Sequence, residues 1–169
     1  MLIIGLLLLI AIALGAINIL ASRKLYYAMT FAIDIPLLRG LPNGLPVIAL
    51  RNNGQWLYFL VDTGSNISMI AEAHRDRIKV ENESSDELYS TTGIGGTIYY
   101  SKQCLVDFED ERGDHYRVKM SISPQINNVT TTIKGATNID LSGLIGTDFL
   151  RAYKYIIDFD SLTLRRKLT

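Results

Sequence analysis

The sequence predicts a mostly-β domain, a barrel or sandwich of short strands, preceded by an apolar N-terminal helix. Three observations carry this reading. Short runs rich in β-branched and aromatic residues recur from Met29 onward, separated by glycine, asparagine, aspartate and proline. Two of these runs meet across Asn53-Gly54, a pair that tolerates positive φ at both positions and so closes a tight hairpin. The first 21 residues, by contrast, carry no charged side chain and are mainly leucine, isoleucine and alanine.

Met1 to Ala21 contains one strongly polar side chain, Asn18. At about 1.5 Å per residue, roughly 20 helical residues cross a bilayer core. A buried core helix of a globular domain would show a polar face, and a signal peptide would open on a positive region. This segment does neither, so residues 1–21 are expected to form an uncleaved transmembrane anchor. A signal peptide cleaved near Ala21-Ser22 is the alternative. Arg23 and Lys24 follow the span directly, and the positive-inside rule then places the rest of the chain in the cytoplasm. A periplasmic or extracellular domain is the alternative. Residues 22–44 read as a juxtamembrane segment. Within it Met29, Phe31, Ile33 and Ile35 alternate with more polar residues as in a strand, until Pro36 and Leu41-Pro42-Asn43-Gly44 interrupt.

Residues 45–169 form the expected domain. Val47–Leu50 and Trp56–Val61 make the Asn53-Gly54 hairpin, and its second strand runs into Asp62. Met69–Ile78 reads as a short helix, residues 81–88 as an exposed loop and Thr91–Thr97 as a glycine-rich segment. Ile98–Phe108 and Tyr116–Ile122 form a second hairpin, turned by Glu109–Asp114. Residues 124–142 are polar and match no template. Thr147–Tyr153 reads as a short helix near the C-terminus, and Tyr155–Phe159 with Leu162–Leu164 as a last hairpin.

Composition excludes several chemistries. Lysine plus arginine number 17 and aspartate plus glutamate 17, so no basic excess points to a nucleic-acid partner. One cysteine, Cys104, forms no internal disulfide framework and reads as a small strand hydrophobe. The two histidines, His74 and His115, are too few for a histidine- or cysteine-based zinc site.

The chemistry lies at Asp62-Thr63-Gly64-Ser65. A carboxylate at the end of an apolar strand is followed by a glycine that lets the backbone pass closely. The hydroxyls of Thr63 and Ser65 can bond neighbouring backbone or carboxylate oxygens. Asp-Thr-Gly alone would read as a plain turn. Here Phe59-Leu60-Val61 leads in, Gly93-Ile94-Gly95-Gly96 follows about thirty residues later, and Gly143-Leu144-Ile145-Gly146-Thr147-Asp148-Phe149-Leu150 comes near the C-terminus. With the closing Ile156-Ile157-Asp158-Phe159, these segments resemble the retropepsin-like aspartic proteases, relatives of the retroviral proteases and of half a pepsin, over roughly residues 45–165.

The resemblance implies a closed β-barrel half with a short C-terminal helix. It implies that Asp62 is catalytic, that Thr63 braces two turns across a dimer, and that Gly64 and Ser65 shape the active-site loop. Gly93, Ile94, Gly95 and Gly96 would be the flap over substrate, and Leu144, Ile145 and Gly146 the element packed beneath the loop. Ser65 stands where retroviral members usually have alanine. A hydroxyl donated from there to the carboxylate would favour its charged form and an acid-leaning optimum.

The reaction needs two carboxylates sharing a proton, and the chain has one Asp-Thr-Gly. Asp140-Leu141-Ser142-Gly143 is no second copy, because a residue intervenes. The second aspartate is then expected from another copy related by a two-fold axis. The expected function is a membrane-anchored aspartic endopeptidase, active as a homodimer, with a water activated between Asp62 and its symmetry mate. It requires no metal and no cofactor. Its partners are a second copy, a peptide or protein substrate and the lipid bilayer. The alternative is a catalytically silent peptide-binding module of the same fold.

Overall fold

The computed structural model describes residues 17, 19, 31–38, 41, 44–83, 89–92 and 98–167. The expected anchor at residues 1–21, apart from Ile17 and Ile19, lies outside these residues, as does the expected flap, Gly93, Ile94, Gly95 and Gly96. Among the described residues no helix is long and apolar enough to cross a membrane.

Among the described residues, two sheets build the domain. In the smaller one, β1 (Phe31–Pro36) pairs antiparallel with β11 (Thr163–Lys167), which pairs in turn with β10 (Tyr155–Asp158). The fold therefore reaches back into residues 22–44. Ile35 and Leu37 are buried in the main core, and Leu37 bridges to Ile48.

The larger sheet starts with β2 (Val47–Asn52) and β3 (Gln55–Val61), paired from Val47↔Leu60 to Asn52↔Gln55. Asn53 at φ 49° and Gly54 at φ 81° make the two-residue turn between them, the left-handed pair that matches the twist of the strands. The order then runs through β9 (Leu141–Ile145), β4 (Ser68–Ala71), β8 (His115–Ser123) and β7 (Ile98–Glu109). β7 returns to β2 at Arg51↔Glu109, where the two side chains form an ion pair, and this closes a six-strand barrel. Two short strands, β5 (Asn82–Glu83) and β6 (Tyr89–Thr92), pair with β7. β6 and β7 flank the glycine-rich segment, with Thr92 opposite Ile98.

The barrel interior is apolar. Ile48, Leu50, Phe59, Val61, Ile70, Val106, Met120 and Ile145 fill it, and Phe59 meets Phe108 edge-on at 5.2 Å between ring centres. Tyr116, Phe149, Tyr153 and Tyr155 form an aromatic group at one end. There the Tyr116 hydroxyl donates to Asp110 Oδ2 at 2.9 Å and pairs with the Tyr155 hydroxyl at 2.8 Å, so the buried Asp110 is satisfied.

Three segments differ from the sequence reading. Met69–Ile78 is not one helix: its apolar start is taken by β4, which pairs parallel with β8 and antiparallel with β9, and Glu72–Arg77 follows as a 3-10 turn. Residues 81–88 open with β5 rather than a loop, because Asn82 and Glu83 find partners on β7. Within residues 124–142 a 3-10 turn, Pro124–Ile126, leads into α1 (Asn127–Thr137). Its asparagines and threonines disfavour helix. Buried Ile126 and Thr130 anchor it, and Asn138 at φ 59° ends it by donating its N–H to the Lys134 carbonyl. The second helix, α2 (Thr147–Ala152), and the last hairpin stand where the sequence places them.

Candidate active site

Asp62 continues the ladder between β3 and β9: its N–H donates to the Ile145 carbonyl at 2.9 Å. The chain then turns. Gly64 N–H donates to Asp62 Oδ1 at 2.8 Å, and Ser65 N–H to the Asp62 carbonyl at 3.2 Å. These bonds fix the carboxylate relative to its own turn. A Cβ on Gly64 would stand 3.1 Å from Asp62 Oδ1, tighter than ordinary contact. Asp62 and Ser65 are half-buried, whereas Thr63 and Gly64 are exposed.

Ser65 corrects one expectation. Its hydroxyl donates to the Ile67 carbonyl at 2.7 Å and accepts the Ile67 N–H at 3.4 Å. It is not given to the Asp62 carboxylate. A serine side chain is short, and an acceptor two residues on is within its reach. The acid-leaning optimum loses the bond on which it rested.

Beneath the turn lies the Leu144-Ile145-Gly146 segment. Ile145 is buried in the barrel, and Leu144 stands opposite Leu60. Gly146 lets the backbones touch: a Cβ there would meet the Ile67 carbonyl oxygen at 2.6 Å. Gly146 N–H donates to Ser68 Oγ at 3.0 Å, and Ser68 Oγ donates to Asp148 Oδ1 at 2.7 Å. Asp148 also accepts the Ser68 N–H at 2.9 Å and the Phe149 N–H at 2.8 Å. Thr147 donates its N–H and its hydroxyl to the Ser65 carbonyl, at 2.9 and 3.2 Å.

Asp62, Thr63, Gly64, Ser65, Leu144, Ile145 and Gly146 thus come together at one end of the barrel. Ser68, Thr147 and Asp148 join them, although the sequence reading gave them no role. Their signal was present: Ser68 is the second serine after the aspartate, and Thr147-Asp148 follows Gly146 directly. Cys104 is buried on β7, with its thiol 3.6 Å from the Met120 carbonyl. Among the described residues no group of three or more histidine, cysteine or acidic side chains is placed to hold a metal ion.

A family model described as aspartyl protease matches residues 48–149, from β2 into α2. The chain belongs to this family, in its retropepsin-like form. The matched residues span both the Asp62 turn and the segment packed beneath it. Among curated proteins, none matches the chain.

Proposed function

We propose that this protein is a membrane-anchored aspartic endopeptidase that acts as a homodimer. The observation that carries the reading is the Asp62 turn. One carboxylate oxygen is held by Gly64 N–H, Thr63 and Gly64 stand exposed beside it, and the chain has no second Asp-Thr-Gly. A second copy, placed by a two-fold axis, brings its own Asp62 against the first. A water between the two carboxylates attacks the scissile carbonyl. One carboxylate takes the water's proton while the other, protonated, gives its proton to the carbonyl oxygen. The tetrahedral diol then collapses: one diol hydroxyl gives its proton to the ionised carboxylate, the C–N bond breaks, and the departing amine takes a proton from the other, protonated carboxyl. Thr63 braces the two turns. Gly93, Ile94, Gly95 and Gly96 close over the peptide and exclude bulk water.

Residues 1–21 anchor both copies in one bilayer, which raises their effective concentration and favours pairing. Arg23 and Lys24 hold the domain on the cytoplasmic side. A zero net charge argues against a nucleic-acid partner.

The test uses the full chain in vesicles with a peptide library. Wild type is expected to cleave, and Asp62→Asn to fold but not cleave. At fixed total protein, an equal mixture of the two should retain about a quarter of wild-type activity, because only about one dimer in four carries two intact aspartates. Cleavage by Asp62→Asn at the wild-type rate would refute the peptidase reading, and peptide binding without cleavage by wild type would favour the silent module.

A further inference from the structure

A pocket of about 280 Å³ opens on the outer surface of the barrel, between the end of β1 and the β2–β3 hairpin. Alternation along β3 makes one wall. Leu57, Phe59 and Val61 are buried in the core, so Trp56 and Tyr58 point outward. On β2, Ala49 stands opposite Tyr58. The other wall is the chain that leaves β1. Leu37 bridges to Ile48, and Leu38 N–H donates to the Val47 carbonyl at 2.8 Å, which holds Pro36 and Leu38 beside the hairpin. The pocket is open to solvent: Pro36 and Glu111 in its lining are exposed, and Trp56 is 42% exposed.

The walls are apolar or aromatic, and Glu111, from the turn between β7 and β8, is the one charged residue in the lining. Among the described residues no cation pairs with Glu111, whereas Glu81, Glu109, Asp140 and Asp158 each have a basic partner. Trp56 offers the negative face of its indole. The chain already uses that ring to hold a cation: the guanidinium carbon of Arg51 lies 5.8 Å from the ring centre, within cation–π range. Arg51 does not line the pocket, and its charge is met by Glu109.

We infer that this pocket binds a lysine or arginine side chain of a peptide, its stem along Pro36, Leu38 and Ala49 and its cationic head at Trp56 and Glu111. Such a side chain has the two parts that the pocket matches. Its methylene stem gains from apolar walls, and its head gains from an aromatic face and an unpaired carboxylate. A purely apolar group would strip water from Glu111 and give it no partner. An acidic group would meet like charge. The volume favours one side chain over a larger ligand, since small-molecule sites run from roughly 300 to 1,000 Å³. The inference does not rest on the peptidase reading, because no lining residue belongs to the Asp62 turn or to the segment beneath it.

The test titrates the full chain, in phosphatidylcholine vesicles, with short glycine peptides carrying one lysine, arginine, norleucine or glutamate. Trp56 is the only tryptophan in the sequence, so its emission reports on the pocket. Calorimetry on the same samples reads any binding that leaves the indole unchanged. The lysine and arginine peptides are expected to saturate and to bind about tenfold tighter than the norleucine peptide, with the glutamate peptide weakest. Glu111→Gln should weaken the lysine peptide about fivefold. Ala49→Leu, which fills the pocket without changing its charge, should abolish saturation. No saturable binding of the lysine peptide by wild type overturns the inference. So does equal affinity for the norleucine peptide, unchanged affinity in Glu111→Gln, or undiminished binding by a folded Ala49→Leu. Hexylammonium that saturates where the lysine peptide does not would overturn the assignment to a peptide side chain.

Discussion

Gly146→Ala tests whether the segment beneath the Asp62 turn sets its position. The added Cβ would stand 2.6 Å from the Ile67 carbonyl oxygen, 2.7 Å from its carbon and 3.0 Å from Asp148 Oδ1. The nearest two atoms are backbone, so no rotamer change relieves them. To regain 3.4 Å, the Ile67 carbonyl must retreat by roughly 0.8 Å. That carbonyl accepts the Ser65 hydroxyl, and the Ser65 carbonyl accepts two bonds from Thr147. The shift therefore reaches the residue that closes the Asp62 turn. Overpacking of this kind costs about 1–3 kcal/mol, or a fall of roughly 3–10 °C in Tm for a domain of this size. A displacement approaching 1 Å at a reacting group costs about 100-fold in rate. Thermal melts and kcat/KM on a cleavable peptide measure the two effects. Gly135→Ala is the control, because its Cβ meets nothing within 4 Å and it lies in α1. That variant should melt at or above wild type. If Gly146→Ala melts and cleaves like wild type, the segment does not position the turn.

Asp148→Ala should destabilise by about 3 kcal/mol in urea, because it strands the Ser68 hydroxyl and two N–H groups. Asp148→Asn keeps one acceptor oxygen and should lose about half as much; equal losses would show that the three bonds do not carry the effect. Tyr155→Phe removes the hydroxyl paired with Tyr116 and should cost about 1 kcal/mol, read as a lower Tm. Asp140 is held below the ordinary carboxylate range first by the hydrogen bond from Lys134, and Asp158 first by the Ser161 N–H. Both folded values are depressed, so their contribution is complete above about pH 4 and drains away as pH falls through the folded values. The double variant Asp140→Asn with Asp158→Asn should therefore flatten the acid limb of Tm against pH, and an unchanged limb would refute this assignment.

Local chemistry made part of the fold readable. Asn53-Gly54 permits few structures other than a two-residue hairpin, and the turn stands where the pair predicts it. The apolar strand running into Asp62 was visible for the same reason. Long-range choices were not visible. Met69 and Ile70 suit a helix or a strand equally, and β8 and β9 decide the matter by offering partners on both sides. In α1 two of the threonines spend their hydroxyls on the helix itself: Thr130 donates to the Asn127 carbonyl and Thr137 to the Ile133 carbonyl. Propensity reads such residues as loop, and the burial of Ile126 and Thr130 overrides it. Ser65 is a subtler case. Its place in the turn was legible, but two acceptors competed for its hydroxyl, and only the backbone path past Ile67 settles which one receives it. The Ser68–Asp148 pairing joins segments that nothing local connects.

The pairing of β1 with β11 has a temporal side. Phe31–Pro36 is made well before its hydrogen-bond partners, Thr163–Lys167. Until that stretch has left the ribosome, the first strand is an open edge, and the domain is complete only when its two ends have met. Contacts this distant in sequence form late, after loop closure has been met elsewhere. A nascent or shortened chain lacking β11 therefore loses the beginning of the fold along with its end. The smaller sheet becomes whole only once Thr163–Lys167 has been made.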